Sequence, residues 1–273
     1  MARAVPWALA VATVAGHIAW PLTAGETRLT LTIATVLTSV AASVGHAWLW
    51  RGPRWTASYL AVTVGIGWLA EAIGVATGWP FGPYHYTEAL GVAVAGVPLL
   101  IPLAWSMMAY PCLLAAQRLV RTRWATALLG GFLFTTWDLF LDPQMVGEGY
   151  WVWHEAEHTL PGIPGIPVGN FLGWLLVSTA FMALLSRLPR VAAPTGVPTF
   201  LLSWVYFSNV FGNAVYFGRP AVAVWGGVLM GLVVVPWWVS LRRPGWARGA
   251  AADADAPVPA TAAAAAESAG RAR

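Results

Sequence analysis

The chain has no lysine, a single cysteine and few charges of either sign. Its 15 basic residues are all arginine, and 10% of its 273 residues are charged, against roughly 25% in a soluble globular domain. This shortage excludes a soluble enzyme, a disordered chain and a nucleic-acid binder. Cys112 sits alone in an apolar run, which excludes a disulfide framework or a cysteine-based metal site. No G-x-G-x-x-G follows a strand, and there is no P-loop and no haem or di-iron ligand set, so no cofactor is expected. What is present is apolar and aromatic: 58% hydrophobic residues, 18 tryptophans and a mean hydropathy of +0.65. These are the proportions of an integral membrane protein.

A helix needs about 20 mostly apolar residues to cross the hydrocarbon core. Eight stretches qualify: Val5–Leu22, Thr30–Leu49, Thr56–Thr77, Val97–Gln117, Trp124–Leu141, Val168–Ser186, Thr199–Phe217 and Ala221–Leu241. The first differs from a signal peptide because Trp20–Pro21 offers no small-residue cleavage pattern and more spans follow. With the N-terminus inside, 13 arginines fall on inner segments, while Arg28 and Arg219 fall outside. Such a bias sets orientation and predicts an even number of spans with both termini cytoplasmic. The expected fold is therefore an all-α, multi-pass helix bundle over 1–243 in the cell membrane, with the bilayer as solvent and no nucleic-acid partner. Trp20, Trp48, Trp50, Trp79, Trp124, Trp237 and Trp238 lie near span ends, as an interfacial belt would. His17 and His46 read as interfacial too. The Ala- and Pro-rich segment 244–273 is expected to be a disordered tail.

Ionisable side chains inside a span are costly, so they tend to face the bundle interior and to serve a function. Glu71 and Asp138 are the two, with Asp142 at a span end. Glu71 shares a helix stripe with Gly67, Gly74 and Gly78, a flat face that points its carboxyl into the bundle. Asp138 and Asp142 are one helical turn apart, although Pro143 disfavours helix at Asp142 and places it on a fraying end or in a turn. Two neighbouring carboxyls can share a proton, which suits an acid and a base working together. On this topology the aromatic connection Trp79–Glu88 and the loop 142–165 lie on the same side as both acids. An aromatic loop above buried acids suits an apolar, polarisable ligand. In the seventh span Tyr206, Asn209, Asn213 and Tyr216 form a polar stripe, read either as packing between helices or as positioning a water or carboxyl.

The segment His154-Glu-Ala-Glu-His158 literally matches H-E-x-x-H, the zinc-hydrolase motif. Its context does not fit. The motif lies in a loop, prolines occupy positions 161 and 164 where the longer form needs Gly and His, and no acid follows before Asp253 in the Ala- and Pro-rich tail. No metal is expected, and the segment reads as a polar lid.

Three stretches carry a resemblance to a known family. They are Glu71-Ala-Ile-Gly-Val-Ala-Thr-Gly-Trp-Pro-Phe-Gly-Pro-Tyr-His-Tyr86, Trp137-Asp-Leu-Phe-Leu-Asp-Pro-Gln-Met145 and Gly165-Ile-Pro-Val-Gly-Asn-Phe-Leu-Gly-Trp174. With the span pattern, residues 5–240 resemble the membrane carotenoid-biosynthesis family that includes bisanhydrobacterioruberin hydratase and carotenoid 1,2-hydratases. The resemblance implies a cofactor-independent hydro-lyase that adds water to the terminal double bond of an acyclic carotenoid of C40 or C50 length. It implies functional roles for Glu71, Tyr84, Tyr86, Asp138 and Asp142. We take Asp138 as acid, Asp142 as water-activating base and Glu71 as a partner to either. His85, Trp137 and Asn170, from the same stretches, join Tyr84, Tyr86, Tyr206, Asn209 and Asn213 as candidate substrate contacts. A carotenoid and other membrane enzymes of its pathway are the implied partners. Two alternatives stay open: an acid-initiated carotenoid cyclase or isomerase, and a non-catalytic isoprenoid carrier. An oxygen-dependent hydroxylase lacks the clustered ligands iron would need.

Overall fold

A computed structural model describes residues 2–154, 156 and 158–242. The expected tail, 244–273, lies outside the described residues, as do Glu155 and Glu157 of the H-E-x-x-H segment.

Among the described residues the fold is an all-α bundle of eight long helices. They are α1 (Ala2–Leu22), α2 (Gly25–Arg51), α3 (Pro53–Thr77), α4 (Leu100–Leu119), α5 (Arg123–Gly147), α6 (Val168–Leu185), α7 (Gly196–Val215) and α8 (Pro220–Leu241). Among the described residues, seven of them are long and apolar enough to cross a bilayer. The other, α7, is diluted by Ser203, Ser208, Asn209 and Asn213. The chain is a multi-pass membrane protein. Its outer surface carries Leu37, Leu69, Leu172, Val224, Val228 and Leu232, each exposed, as a surface solvated by lipid requires.

The centre belongs to α4 and α5, whose spanning stretches are 78% and 67% buried against 22% for α1. Small residues let α6 close on α5: a methyl added at Gly131 would lie 2.5 Å from Thr179 Oγ1, and one at Gly130 would lie 3.1 Å from Met182. Helix α3 passes through a π-helical stretch at Ala61–Ile66 and ends where Gly78 takes a left-handed conformation (φ +75°).

Three boundaries differ from the sequence reading. Val97 and Pro98 are not helical. They form strand β3 (Val97–Pro98), which pairs with β2 (Ala93–Val94) in a hairpin on the rim, and α4 starts at Leu100. Helix α5 does not fray at Asp142 but continues to Gly147. Pro143 removes one N–H from the ladder, yet the turn beyond it closes, with Glu148 N–H donating to the Gln144 carbonyl at 3.1 Å. Helix α2 starts at Gly25 and so brings Arg28 into its first turns.

The connections sort onto two faces. On one, Arg28 meets Glu148 (2.7 Å), Gly147 leaves room for the Arg219 guanidinium, and Trp225 donates to the Pro161 carbonyl at 2.9 Å. There β1 (Tyr84–Tyr86) pairs antiparallel with β4 (Trp151–Trp153), tying the α3–α4 loop to the α5–α6 loop. On the other face, Trp55 donates to the Pro189 carbonyl (3.1 Å) and Arg190 to Thr126 Oγ1 (3.2 Å). This pairing of loops is the alternation the arginines predict. The histidines depart from expectation: His46 is buried against Tyr110 (2.9 Å), and His17 accepts from the Trp204 indole (3.2 Å).

Candidate active site: three carboxyls beneath an aromatic ladder

Glu71 lies on α3, five residues beyond the π-helical stretch, and is buried. One of its oxygens, Oε2, accepts from the Tyr84 hydroxyl (2.5 Å) and the Tyr86 hydroxyl (2.8 Å), and Oε1 accepts from the Trp105 indole (3.0 Å). The two tyrosines are the alternate residues of β1, and they converge because of packing. Glycine at 74 leaves space for the loop: a Cβ there would sit 2.8 Å from Tyr84 Oη and 2.9 Å from Phe81 Cδ2. The glycine stripe therefore serves two neighbours. Gly67 faces Trp105 and Phe181, whereas Gly74 receives the descending loop.

Asp138 and Asp142 lie on α5, both buried. Between them stands Asn170 of α6, whose Nδ2 donates to Asp138 Oδ2 and to Asp142 Oδ2, each at 2.8 Å. An amide NH2 has two hydrogens, and both are used here. Asp142 Oδ1 accepts from the Trp151 indole (2.6 Å) and the Trp153 indole (3.2 Å), the alternate residues of β4. The β1–β4 pair thus hangs two phenols over one carboxyl and two indoles over another. Of all the oxygens on these three carboxyls, Asp138 Oδ1 alone accepts no hydrogen bond among the described residues.

The carboxyls line one small cavity, about 40 Å³, with Phe81, Trp105, Trp137 and Trp174 among its walls. Trp105 and Trp174 stack face to face (4.2 Å between centroids, 6° between planes), with Phe134 edge-on to Trp105. Burial, followed by the adjacent Glu71 carboxyl, pushes the Tyr84 and Tyr86 phenols well above the usual tyrosine range. Both therefore act as neutral donors.

The structure thus brings Glu71, Asp138, Asp142, Tyr84, Tyr86, Trp137 and Asn170 to one cavity. It leaves others out. His85 points away from the cavity, with Nδ1 2.6 Å from Nε2 of His154. Tyr206 donates to the Gly227 carbonyl (3.0 Å), Asn209 to the Val205 carbonyl (2.8 Å) and Asn213 to the Asn209 carbonyl (2.9 Å). That polar stripe bonds to helix backbone and does not reach the carboxyls. No group of three His, Cys, Asp or Glu side chains gathers to hold a metal among the described residues. Sequence reasoning passed over Trp105, Trp151, Trp153 and Trp174. Their signal was position: Trp105 and Trp174 lie inside spans rather than at the belt, and Trp151 and Trp153 alternate as strand residues do.

A membrane helix bundle with a buried, aromatic-walled carboxyl pocket defines a class of protein that handles apolar ligands with acid–base groups. Comparison with known proteins narrows the class. A family described as carotenoid biosynthesis protein matches residues 28–237, and the chain belongs to it. Over 123 residues it is 34% identical to a bisanhydrobacterioruberin hydratase of Haloarcula japonica, covering 42% of this chain and 39% of that protein. No solved structure matches.

Proposed function

We propose that the chain hydrates the terminal double bond of an acyclic C40 or C50 carotenoid, with Asp138 as the proton donor. The observation that carries this reading is the free Oδ1 of Asp138, set in a cavity where every other carboxyl oxygen is engaged. A proton held by the Asp138–Asp142 pair passes from that oxygen to the less substituted alkene carbon. The positive charge forms on the tertiary carbon. The faces of Trp105, Trp137 and Trp174 and the Glu71 carboxylate are the groups available to stabilise it. Water adds to the cation, and Asp142 takes up its proton. Atoms and charge balance without a redox partner. The partial match to a hydratase supports the same reaction class. In the same proposal the bundle sits in the cell membrane with both termini cytoplasmic.

The test is product mass. The chain is expressed without oxygen in a host accumulating an acyclic carotenoid, and the extract is separated and weighed. The expected product has gained one water, and Asp138→Asn lowers its yield about 10²- to 10⁴-fold, the usual contribution of a general acid. An unchanged mass with a shifted absorption spectrum would replace hydration by cyclisation. Full activity in Asp138→Asn would remove Asp138 from the role.

A further inference from the structure

A second, larger cavity lies beside the carboxyl pocket, bounded by α1, α2, α4, α5 and α7. Its volume is about 330 Å³, within the roughly 300–1,000 Å³ of small-molecule binding sites. The two cavities share Trp137 and Leu141 as wall residues. These are one turn apart on α5, each directly before one of the aspartates, so they form the stripe next to the acids. Trp137 and Leu141 therefore stand between the large cavity and the pocket that holds Asp138 and Asp142.

The lining is mostly apolar and rich in aromatics, including Trp20, Trp204, Phe207 and Phe217, with scattered hydroxyls and amides between them. Planar rings suit a conjugated chain, which can lie flat against them. At the rim Ile18, Leu22, Phe207 and Phe211 stay exposed on α1 and α7, on the lipid-facing surface. The mouth thus faces the bilayer sideways rather than the aqueous loops. The carboxyl pocket is far smaller, about 40 Å³, and cannot hold the chain behind an end group.

We propose that the large cavity is the binding site for the body of a linear conjugated polyisoprenoid, which enters from the bilayer between α1 and α7 and passes its end group by Trp137 to the carboxyls. The site rests on the reading that those carboxyls act on an isoprenoid end. It also assigns Asn209, which lines this cavity, to the substrate body rather than to the acids.

Ser39 of α2 and Ser208 of α7 both line the large cavity and neither lines the carboxyl pocket. Wild type, Ser39→Trp, Ser208→Trp, Asp138→Asn and Val224→Trp are purified from a host making an acyclic C40 polyene. Polyene retained per chain is read by visible absorbance and by induced circular dichroism. Val224→Trp adds the same bulk on the lipid-facing side of α8, outside both cavities, and controls for insertion of a tryptophan. Wild type, Asp138→Asn and Val224→Trp are expected to retain the polyene, and each serine variant to retain at least about ten-fold less. Undiminished retention in both serine variants would overturn the site. So would mass spectrometry of the wild type showing a phospholipid acyl chain held in place of polyene. If the wild type binds polyene through this cavity but adds no water, hydration falls and the binding site stands. If water is added and both serine variants add it equally well, the site falls alone.

Discussion

A hydrogen atom at position 74 decides whether a loop can reach a buried carboxyl. Tyr84 and Phe81 occupy the space where a side chain would begin, and both are enclosed, so neither can retreat. Gly74→Ala is expected to destabilise the bundle by about 1–3 kcal/mol, the usual cost of overpacking, and to lower product yield by moving Tyr84 off Glu71. Gly65→Ala meets nothing within 4 Å and is expected to leave both unchanged. Thermal unfolding in detergent, with product yield alongside, checks the pair. The three carboxyls themselves were legible in the sequence, because a charge inside an apolar span stands out. Their partners were not. Asn170 sits in an ordinary span, and its bridging of Asp138 and Asp142 depends on how α6 packs on α5.

At the scale of elements, the β1–β4 pair performs a task the helices cannot. A helix presents one side chain per turn to a given spot, whereas a strand presents alternate residues to one side. Tyr84 with Tyr86 and Trp151 with Trp153 exploit that spacing to place paired donors on Glu71 and Asp142. The pair was hard to see in the sequence because one alternating couple in three residues is too short a run to define a strand, and β4 directly precedes a segment that mimics a metal motif. The helices were legible, since length and hydropathy alone define a span. Raised phenol pKa values carry a pH consequence. An unfolded tyrosine ionises near its ordinary value of about 10, while the folded Tyr84 and Tyr86 keep their protons above it. Their contribution to stability is therefore complete below about pH 10 and declines as pH rises beyond it. Phenolate absorbance is expected to show these two tyrosines titrating only with unfolding. Tyr86→Phe is expected to make the alkaline loss of stability shallower.

Across the whole molecule, arginines divide by face. Arg28 and Arg219 accompany the loops over the carboxyl pocket, while Arg51, Arg118 and Arg190 lie toward the other end. By the positive-inside rule the sparsely charged face, and with it the β1–β4 pair, is expected to lie outside the cytoplasm. A reporter inserted at Gly91, an open position in the α3–α4 connection, is expected to read as non-cytoplasmic, and one at the N-terminus as cytoplasmic. The reverse pattern would invert the orientation without altering the site. This division was visible in the sequence because arginine placement is a global constraint. The adjacency of two cavities was not, because it depends on how α1 and α7 flank α5.

The amide of Asn170, joined to both aspartates at once, gives the proposed reaction a history. Each turnover would take a hydrogen from Asp138 and leave another, stripped from water, on Asp142. Before the next substrate reacted the pair would have to be reset, by passing that hydrogen across or by exchange with solvent. Only where exchange is slower than turnover would the hydrogen fixed on one product's carbon be inherited from the water consumed in making the one before. A deuterium label in the solvent would then reach carbon one turnover late.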